Sequence, residues 1–381
     1  MSALPPLALY VHIPWCVRKC PYCDFNSHRA ATALPVDDYV AALLADLDRD
    51  AAMAEGRTIG SVFFGGGTPS LFPPEAIARI LDGAAARVPF APDAEVTLEA
   101  NPGTIAHGRF GGYRAAGVNR LSIGVQSFDD DSLRRIGRIH GGAEARRALV
   151  EAREAGFDDV NVDLMYALPG QTADAALADL ETALALGPTH LSHYQLTLEP
   201  NTEFAKRPPA LPDDEVAAAI EEAAEARLGA AGFAHYETSA HARPGRRCRH
   251  NLNYWTFGDY LGIGAGAHGK LTRPDGTILR TAKIKAPQHY LGRWASGQAF
   301  GSVAAVPLSE RPYEFMLNAL RLADGFDLGL FRDRTGLDPA EIAEPLAQGI
   351  ERGWLARDGD HVAPTALGRR FLNDVIQLFM P

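Results

Sequence analysis

Short apolar runs and longer amphipathic stretches alternate along the first half of the chain. The runs are Leu7–Ile13, Ser61–Phe64, Glu95–Glu99, Arg120–Val125, Asn161–Tyr166 and His190–Leu198, rich in Val, Ile, Leu, Phe and Tyr. Between them lie Ala-rich stretches with helical periodicity: Val36–Ala54, Pro74–Arg87, Gly142–Ala155 and Ala173–Leu186. Strand alternating with helix predicts βαβ units and a parallel sheet, since parallel neighbours need a crossover long enough to hold a helix. Periodicity alone leaves a doubly wound sheet and a curled barrel both open. Polar residues gather at the C-terminal ends of the runs: His12, Gly65–Thr68, Glu99 with Asn101, Gln126 and Asp163. Such residues also simply end strands, but parallel α/β folds build their sites at that rim, and the recurrence favours a common site.

The second half reads differently. Pro200–Glu215 is a connection and Asp214–Ala231 a helix; residues 232–300 hold short strands and a Gly-rich segment, Gly258–Gly269. From about Pro307 the pattern predicts helices over Leu328–Thr335 and Pro339–Arg352. A hairpin of Trp354–Arg357 and His361–Pro364 turns at Asp358-Gly359-Asp360, and a closing helix spans Thr365–Phe379. Helix, helix, hairpin suggests a winged helix. Eight basic residues against twelve acidic ones from Glu310 to Pro381 argue against a DNA reader and for a structural or docking module. The expected division is residues 1–231, residues 232–306 and residues 307–381.

Composition narrows the class. A length of 381 residues suggests two or three domains. With 46% hydrophobic and 22% charged residues, a long disordered chain is excluded. No run of 18 apolar residues exists, which excludes a membrane-spanning helix. A formal charge of −10 does not invite nucleic acid or anionic lipid as a bulk partner. No Lys or Arg precedes Arg18 and no small-residue cleavage site follows an apolar core, so a cytoplasmic protein is expected.

Three of the four cysteines, Cys16, Cys20 and Cys23, fall within eight residues directly after the first strand. Clustered thiols in such a chain favour metal over a disulfide framework. Three thiolates on one tight loop can hold three irons of a [4Fe–4S] cluster and leave the fourth open. A zinc site, with His12 and His28 nearby, or a set of buried structural thiols stays open on spacing alone.

Cys16-x-x-x-Cys20-x-x-Cys23, with Tyr22 before the last Cys, resembles the radical S-adenosylmethionine (SAM) superfamily. The flanking Tyr10-Val-His-Ile-Pro-Trp-Cys16 and Cys20-Pro-Tyr-Cys23-Asp-Phe resemble the oxygen-independent coproporphyrinogen III oxidase family. So do Phe64-Gly-Gly-Gly-Thr-Pro69, Leu98-Glu99-Ala-Asn-Pro102, Ser122-Ile-Gly-Val-Gln126-Ser-Phe, Asn161-Val-Asp163-Leu-Met-Tyr-Ala-Leu-Pro169 and Tyr194-Gln-Leu. The resemblance implies an α/β fold, a partial (β/α)6 barrel, with a [4Fe–4S] cluster on Cys16, Cys20 and Cys23. It further implies SAM on the open iron, cleaved there to methionine and a 5′-deoxyadenosyl radical. The Gly65–Gly67 loop, through Gly66 and Gly67, would receive the methionine amino group beside Thr68. Tyr10, Tyr22, Glu99, Gln126, Arg138 and Asp163 would line the SAM site. Taken singly, each of these residues has a surface or capping role as its simplest explanation.

Two departures bear on the branch. True oxidases continue the cluster motif with a further Cys where this chain has Phe25, and they carry an arm before the first strand, whereas nine residues precede Tyr10 here. Cys23-Asp-Phe-Asn-Ser-His28 and His250-Asn-Leu-Asn-Tyr-Trp255 resemble the HemW heme chaperone branch instead. There the second motif is assigned to heme, which makes His250 the expected ligand with Tyr254 and Trp255 packing on the porphyrin. The local alternative is a core aromatic pair with a satisfied His. Cys248 reads as an inert thiol before a second ligand or attachment point, and His268, in the Gly-rich segment, is a reserve ligand. That segment mimics a dinucleotide loop but lacks the βαβ order. The resemblance implies a protein that binds heme and passes it to an acceptor hemoprotein of the respiratory chain. Homodimerisation and peripheral membrane contact stay open, with no basic amphipathic anchor evident. The alternative activity is oxidative decarboxylation of coproporphyrinogen III.

Overall fold

Six strands lie side by side in the order in which the chain makes them, all parallel: β1 (Leu7–Ile13), β2 (Ile59–Gly66), β3 (Phe90–Ala100), β4 (Arg120–Gln126), β5 (Val160–Tyr166) and β6 (His190–Gln195). The computed structural model describes residues 4–30, 33–104, 108–298 and 300–381. Helices cross over between the strands: α1 (Val36–Asp50), α2 (Pro74–Ala85), α3 (Arg109–Ala115), α4 (Asp130–Arg135), α5 (Gly142–Glu154) and α6 (Ala173–Ala185). Two of them start on a side-chain cap that satisfies an otherwise orphaned backbone N–H. Asp129 accepts from Ser132 ahead of α4, and Thr172 from Ala175 ahead of α6.

The period-two alternation of the strands separates the core from the site. In β1, Leu9, Val11 and Ile13 join the apolar core shared with the helices, while Tyr10 and His12 face a cavity. In β3, Val96 and Leu98 belong to the core and Glu99 faces the cavities at the strand's end.

After helix α7 (Asp214–Ala230) the chain returns to both edges of the sheet. A hairpin of β7 (Ala234–Glu237) and β8 (Ala240–Ala242) pairs antiparallel with β6. Helix α8 (Arg249–Trp255) then leads to β9 (Asp259–Ile263), which lies parallel to β1. Strands β10 (His268–Thr272), β11 (Ile278–Lys283) and β12 (Gly301–Ala305) continue antiparallel. The sheet thus has twelve strands, in the order β12-β11-β10-β9-β1-β2-β3-β4-β5-β6-β8-β7. Asp259, fully buried at the start of β9, is paired with Arg57 at 2.6 Å and Lys270 at 2.9 Å, which ties β9 and β10 to the approach to β2.

A second apolar core forms around Phe315, Phe331, Val362 and Phe379, and it takes in Phe257 and Ile278 from the preceding segment. Its elements are α9 (Arg311–Ala319), α10 (Leu328–Thr335), α11 (Ala343–Glu351) and the hairpin β13 (Leu355–Asp358) and β14 (His361–Pro364), joined by Phe326–Asp327.

Three local expectations change. The strand from His190 stops at Gln195, because its partner β5 ends at Tyr166 and no ladder remains for Thr197 and Leu198. The helix expected over Pro339–Arg352 begins as a 3₁₀ turn, Pro339–Ile342. The closing helix is two, Ala366–Arg370 and Leu372–Gln377, separated at Phe371. Gly368 lies against the Trp354 backbone while Val375 and Ile376 enter the second core, and one straight axis does not serve both contacts. Helix α3 escaped the pattern because it carries two glycines; Gly112 is there for contact, since a Cβ would sit 2.6 Å from Pro74.

Candidate functional site

Cys16 ends a two-residue strand, Trp15–Cys16, that pairs with His28–Arg29, and this pairing closes the loop that holds all three cysteines. The Cys23 N–H donates to the Cys20 carbonyl at 3.1 Å, which tightens the turn between them. The glycine loop after β2 docks on the approach to Cys16: Gly67 N–H donates to the Ile13 carbonyl and Thr68 N–H to the Trp15 carbonyl, each at 2.8 Å. A side chain has no room here. At Gly66, whose φ is +117°, a Cβ would lie 2.6 Å from the His12 ring, and at Gly67 2.6 Å from the Trp15 carbonyl.

Around this loop opens a cavity of about 700 Å³. Cys16, Cys20 and Cys23 line it on one side. Tyr22, Gly66, Gly67, Thr68, Glu99, Gln126, Arg138 and Asp163 complete the wall, so eleven residues singled out in the sequence converge. The thiols are half-exposed and free of disulfides. Burial raises the thiol pKa of Cys16 and of Cys23. Thr68 Oγ1 donates to Cys16 Sγ at 3.5 Å, and the Arg138 guanidinium lies 3.8 Å from Cys20 Sγ. Among the described residues no three His, Cys, Asp or Glu side chains converge on a single ion-sized point. His12 is occupied elsewhere, with Tyr10 Oη at 3.0 Å and the Asn26 carbonyl at 2.9 Å. Thiols spread around a cavity wall fit a polynuclear cluster better than one tetrahedral zinc.

The wall also carries two buried strand-end carboxylates, Glu99 and Asp163. Glu99 accepts the Gly66 N–H at 3.2 Å, and its pKa is pushed up to about 8 by burial and by the nearby Asp163. Burial also raises Asp163, although Asn161 and Ser122 donate to it at 2.7 and 3.2 Å. Carboxylates whose pKa is raised by burial gain when a cationic ligand arrives. Gln126 takes a left-handed backbone (φ +69°) at the end of β4, and Tyr194 Oη donates to its Oε1 at 2.7 Å. That leaves the Gln126 amide N–H₂ as a donor. Ser122 and Arg321 also reach this wall. Ser122 had a legible signal, period-two spacing with Gln126 on β4. Arg321 comes from the C-terminal core and had none.

A second cavity, of about 780 Å³, adjoins the first. Phe25, Gly66 and Glu99 line both. Its own wall carries Tyr10, Tyr254 and Tyr260 as aromatic surface. Lys19 and Lys285, both exposed, and the rings of His28 and His268 line it too. Tyr10, expected against SAM, therefore lies on this side of Glu99. Phe25, where an extra cysteine would stand, is 61% exposed at the junction.

Helix α8 carries the second motif. Its N-terminus is capped from below by Glu95, which accepts the N–H of Arg249 at 3.0 Å and of His250 at 3.1 Å. Cys248 is buried under the same carboxylate, and burial pushes its thiol up to about 12, which disfavours the thiolate. His250 is 1% exposed and is not part of the cavity wall. Its Nδ1 is 3.1 Å from Ser61 Oγ and its Nε2 2.9 Å from Tyr254 Oη, and burial holds its pKa down at about 3. Tyr254 stands between it and the cavity.

A cysteine loop at the end of the first of six parallel strands, over a glycine turn and an acidic strand rim, places the chain in the radical SAM superfamily, whose sequence profile it matches over residues 10–183. Residues 306–371 match the HemN C-terminal domain. The chain is 51% identical to "Heme chaperone HemW" of Escherichia coli (strain K12), covering 100% of both chains. It is 48% identical to the protein of the same name from Haemophilus influenzae, over 100% of this chain and 99% of that one. It belongs to the HemW heme chaperone family. Among solved structures it is similar to the radical SAM coproporphyrinogen III oxidase HemN of Escherichia coli. The TM-score is 0.83 at 26% identity, over 99% of this chain and 90% of that one.

Proposed function

We propose that this protein is a heme chaperone that binds heme in the aromatic cavity and hands it to an acceptor hemoprotein, with a SAM-binding [4Fe–4S] cluster in the adjoining thiol-lined cavity. The observation that carries the reading is the junction itself: Gly66, Glu99 and Phe25 line both cavities. Cys16, Cys20 and Cys23 hold the cluster, which supplies an open iron and one-electron chemistry when present. Gly66, Gly67 and Thr68 offer their loop to the amino acid end of SAM. Glu99 and Asp163 offset its positive charge, Gln126 offers an amide donor, and Tyr22 and Arg138 back the cluster loop. Tyr10 and His250 belong to the heme side. In this reading residues 1–231 carry the cluster and SAM, residues 232–306 extend the sheet and add the heme motif, and residues 307–381 form a docking or structural module. The acceptor is a hemoprotein of the respiratory chain and the protein works in the cytoplasm. A second copy of the chain and the membrane surface are the further partners it admits. No helix among the described residues is long and apolar enough to cross a membrane.

Anaerobic titration of the cluster-reconstituted protein with heme, followed by Soret absorbance, tests the reading. Saturation at one heme per chain is the expected result, and absence of saturable binding overturns it. The likeness to HemN favours one second reading, decarboxylation of coproporphyrinogen III. Incubating the reduced protein with SAM and coproporphyrinogen distinguishes the two, since carbon dioxide release at useful turnover belongs to the second alone.

A further inference from the structure

His250 and Tyr254 are four residues apart on α8 and so share one face of the helix. Their roles toward the cavity are unequal. The His250 ring is wedged in the interior, stacked on Phe63 with centroids 5.1 Å apart and meeting the edge of Tyr254 at 4.8 Å. Both ring nitrogens already have partners, Ser61 Oγ at 3.1 Å and Tyr254 Oη at 2.9 Å. Tyr254, by contrast, is half-buried, lines the cavity, and is braced edge-on by Tyr260 at 4.5 Å. An iron entering from the cavity meets the phenol before the imidazole.

We propose that the ligand α8 presents to ferric heme is Tyr254 Oη, with His250 as the positioning residue behind it. The inference rests on the heme-chaperone reading above. Phenolate is an established type of axial ligand to ferric heme, and a metal ligand is normally held by a hydrogen-bonded partner that sets its orientation and basicity. Ser61 Oγ can donate or accept, so it serves either His250 tautomer, and Nε2 can accept from the Tyr254 phenol or donate to its phenolate. On binding, the Tyr254 Oη–H bond would break and an Fe–O bond form, hydroxide on the ferric iron taking the proton and leaving as water, while His250 stays neutral and turns an Nε2–H toward the phenolate. The iron stays ferric throughout. Lys19 and Lys285 on the same cavity wall offer ammonium groups to the porphyrin carboxylates.

The test is a titration of the full chain with ferric heme, read by visible absorption and by resonance Raman. The wild-type protein is compared with Tyr254→Phe and His250→Gln. The wild-type complex should show a phenolate-to-iron charge-transfer band and enhanced phenolate ring modes. Tyr254→Phe keeps the ring that packs on Tyr260, and should lose both signals and bind at least about tenfold more weakly. His250→Gln, which retains a hydrogen-bonding group, should keep the phenolate modes at shifted frequency. A wild-type complex without phenolate modes, or an unchanged spectrum in Tyr254→Phe, overturns the assignment while leaving heme binding standing. A histidine-type spectrum lost only in His250→Gln does the same and makes His250 the ligand. Absence of saturable heme binding by the wild-type chain removes the chaperone reading and this assignment together.

Discussion

Glu95 accepts the backbone N–H of His250 at 3.1 Å from the middle of the strand whose end carries Glu99. One strand, β3, thus supports both cavities: its rim residue lines them, and its buried carboxylate caps the helix that bears the heme motif. The fully buried Arg120 guanidinium, on the neighbouring β4, feels the charge of Glu95 and of Asp159 at 3.8 Å.

Removing that cap has a definite cost. Glu95→Ala leaves two helix N–H groups unbonded and Arg120 short of a counter-charge, and should destabilise the chain by about 1–3 kcal/mol. Glu95→Gln keeps an acceptor oxygen and should lose less. Urea unfolding followed by circular dichroism measures both. Equal stability of the alanine variant and the wild type would mean that the cap is not holding α8.

The four cysteines should separate into two classes by iron content. Replacing Cys16, Cys20 and Cys23 together by Ser should abolish bound iron and sulfide after reconstitution. Cys248→Ser should leave both unchanged, because that thiol is buried beneath Glu95, away from the thiol-lined cavity. Iron and sulfide analysis with visible absorption reads the difference. Loss of the cluster in the Cys248 variant would place that thiol in the centre.

The parts legible in sequence are those with a short-range signature. The alternation of apolar runs with Ala-rich stretches gave all six parallel strands, because each burial pattern is local. Of the eleven residues singled out that line the thiol cavity, the three cysteines announce themselves by spacing, whereas the others were picked out by motifs that resemble the radical SAM family. Tyr10 lines the second cavity and not the thiol-lined one, because strand periodicity fixes a face and not which of two adjoining hollows a ring enters. The inward turn of His250 was one of two readings that its motif left open, for a different reason. Its partners Ser61 and Glu95 are 189 and 155 residues away in the chain, and only tertiary packing brings them together. Arg321 reaches the site from the C-terminal core on the same terms.

Glu99 gives the chain a characteristic pH response. Its pKa rises from an ordinary 4.5 to about 8 in the folded chain, first through burial and then through Asp163. Between these values the native state binds more protons than the unfolded one, so stability falls as pH rises from about 4.5 to 8 and levels off above. Asp163 is raised as well and acts with the same sign. Buried histidines such as His250 and His193 are lowered and act oppositely, but only below their ordinary value of 6.5. From pH 6.5 to 8 those lowered histidines drop out, while His361, raised by its hydrogen bond to Asp327, acts with the carboxylates and is common to wild type and variant. In cluster-free protein, Glu99→Gln should show a flatter stability profile across that window by urea unfolding. Parallel profiles for the two proteins would contradict the raised pKa.

The sheet extension depends on one buried carboxylate. Asp259 is fully buried, takes Lys270 Nζ at 2.9 Å and Arg57 at 2.6 Å, and accepts the Thr272 N–H at 2.7 Å. Lys270 is 1% exposed and lies over the Phe257 ring at 4.1 Å, so it has no route to water when its anion is lost. Breaking a buried pair by removing one partner typically costs about 3–5 kcal/mol, far more than an exposed pair is worth. Asp259→Asn should fall in that range. The double variant Asp259→Asn with Lys270→Met should recover part of the loss, since the uncompensated ammonium is then gone and a methionine fills its space. Phe257 and Ile278, on either side of this pair, pack into the C-terminal core, so the damage should spread there. Hydrogen exchange on β9, β10 and α9 is the measurement. Faster exchange in all three elements is expected for Asp259→Asn, and exchange confined to β9 would mean that the C-terminal core stands independently of the ion pair.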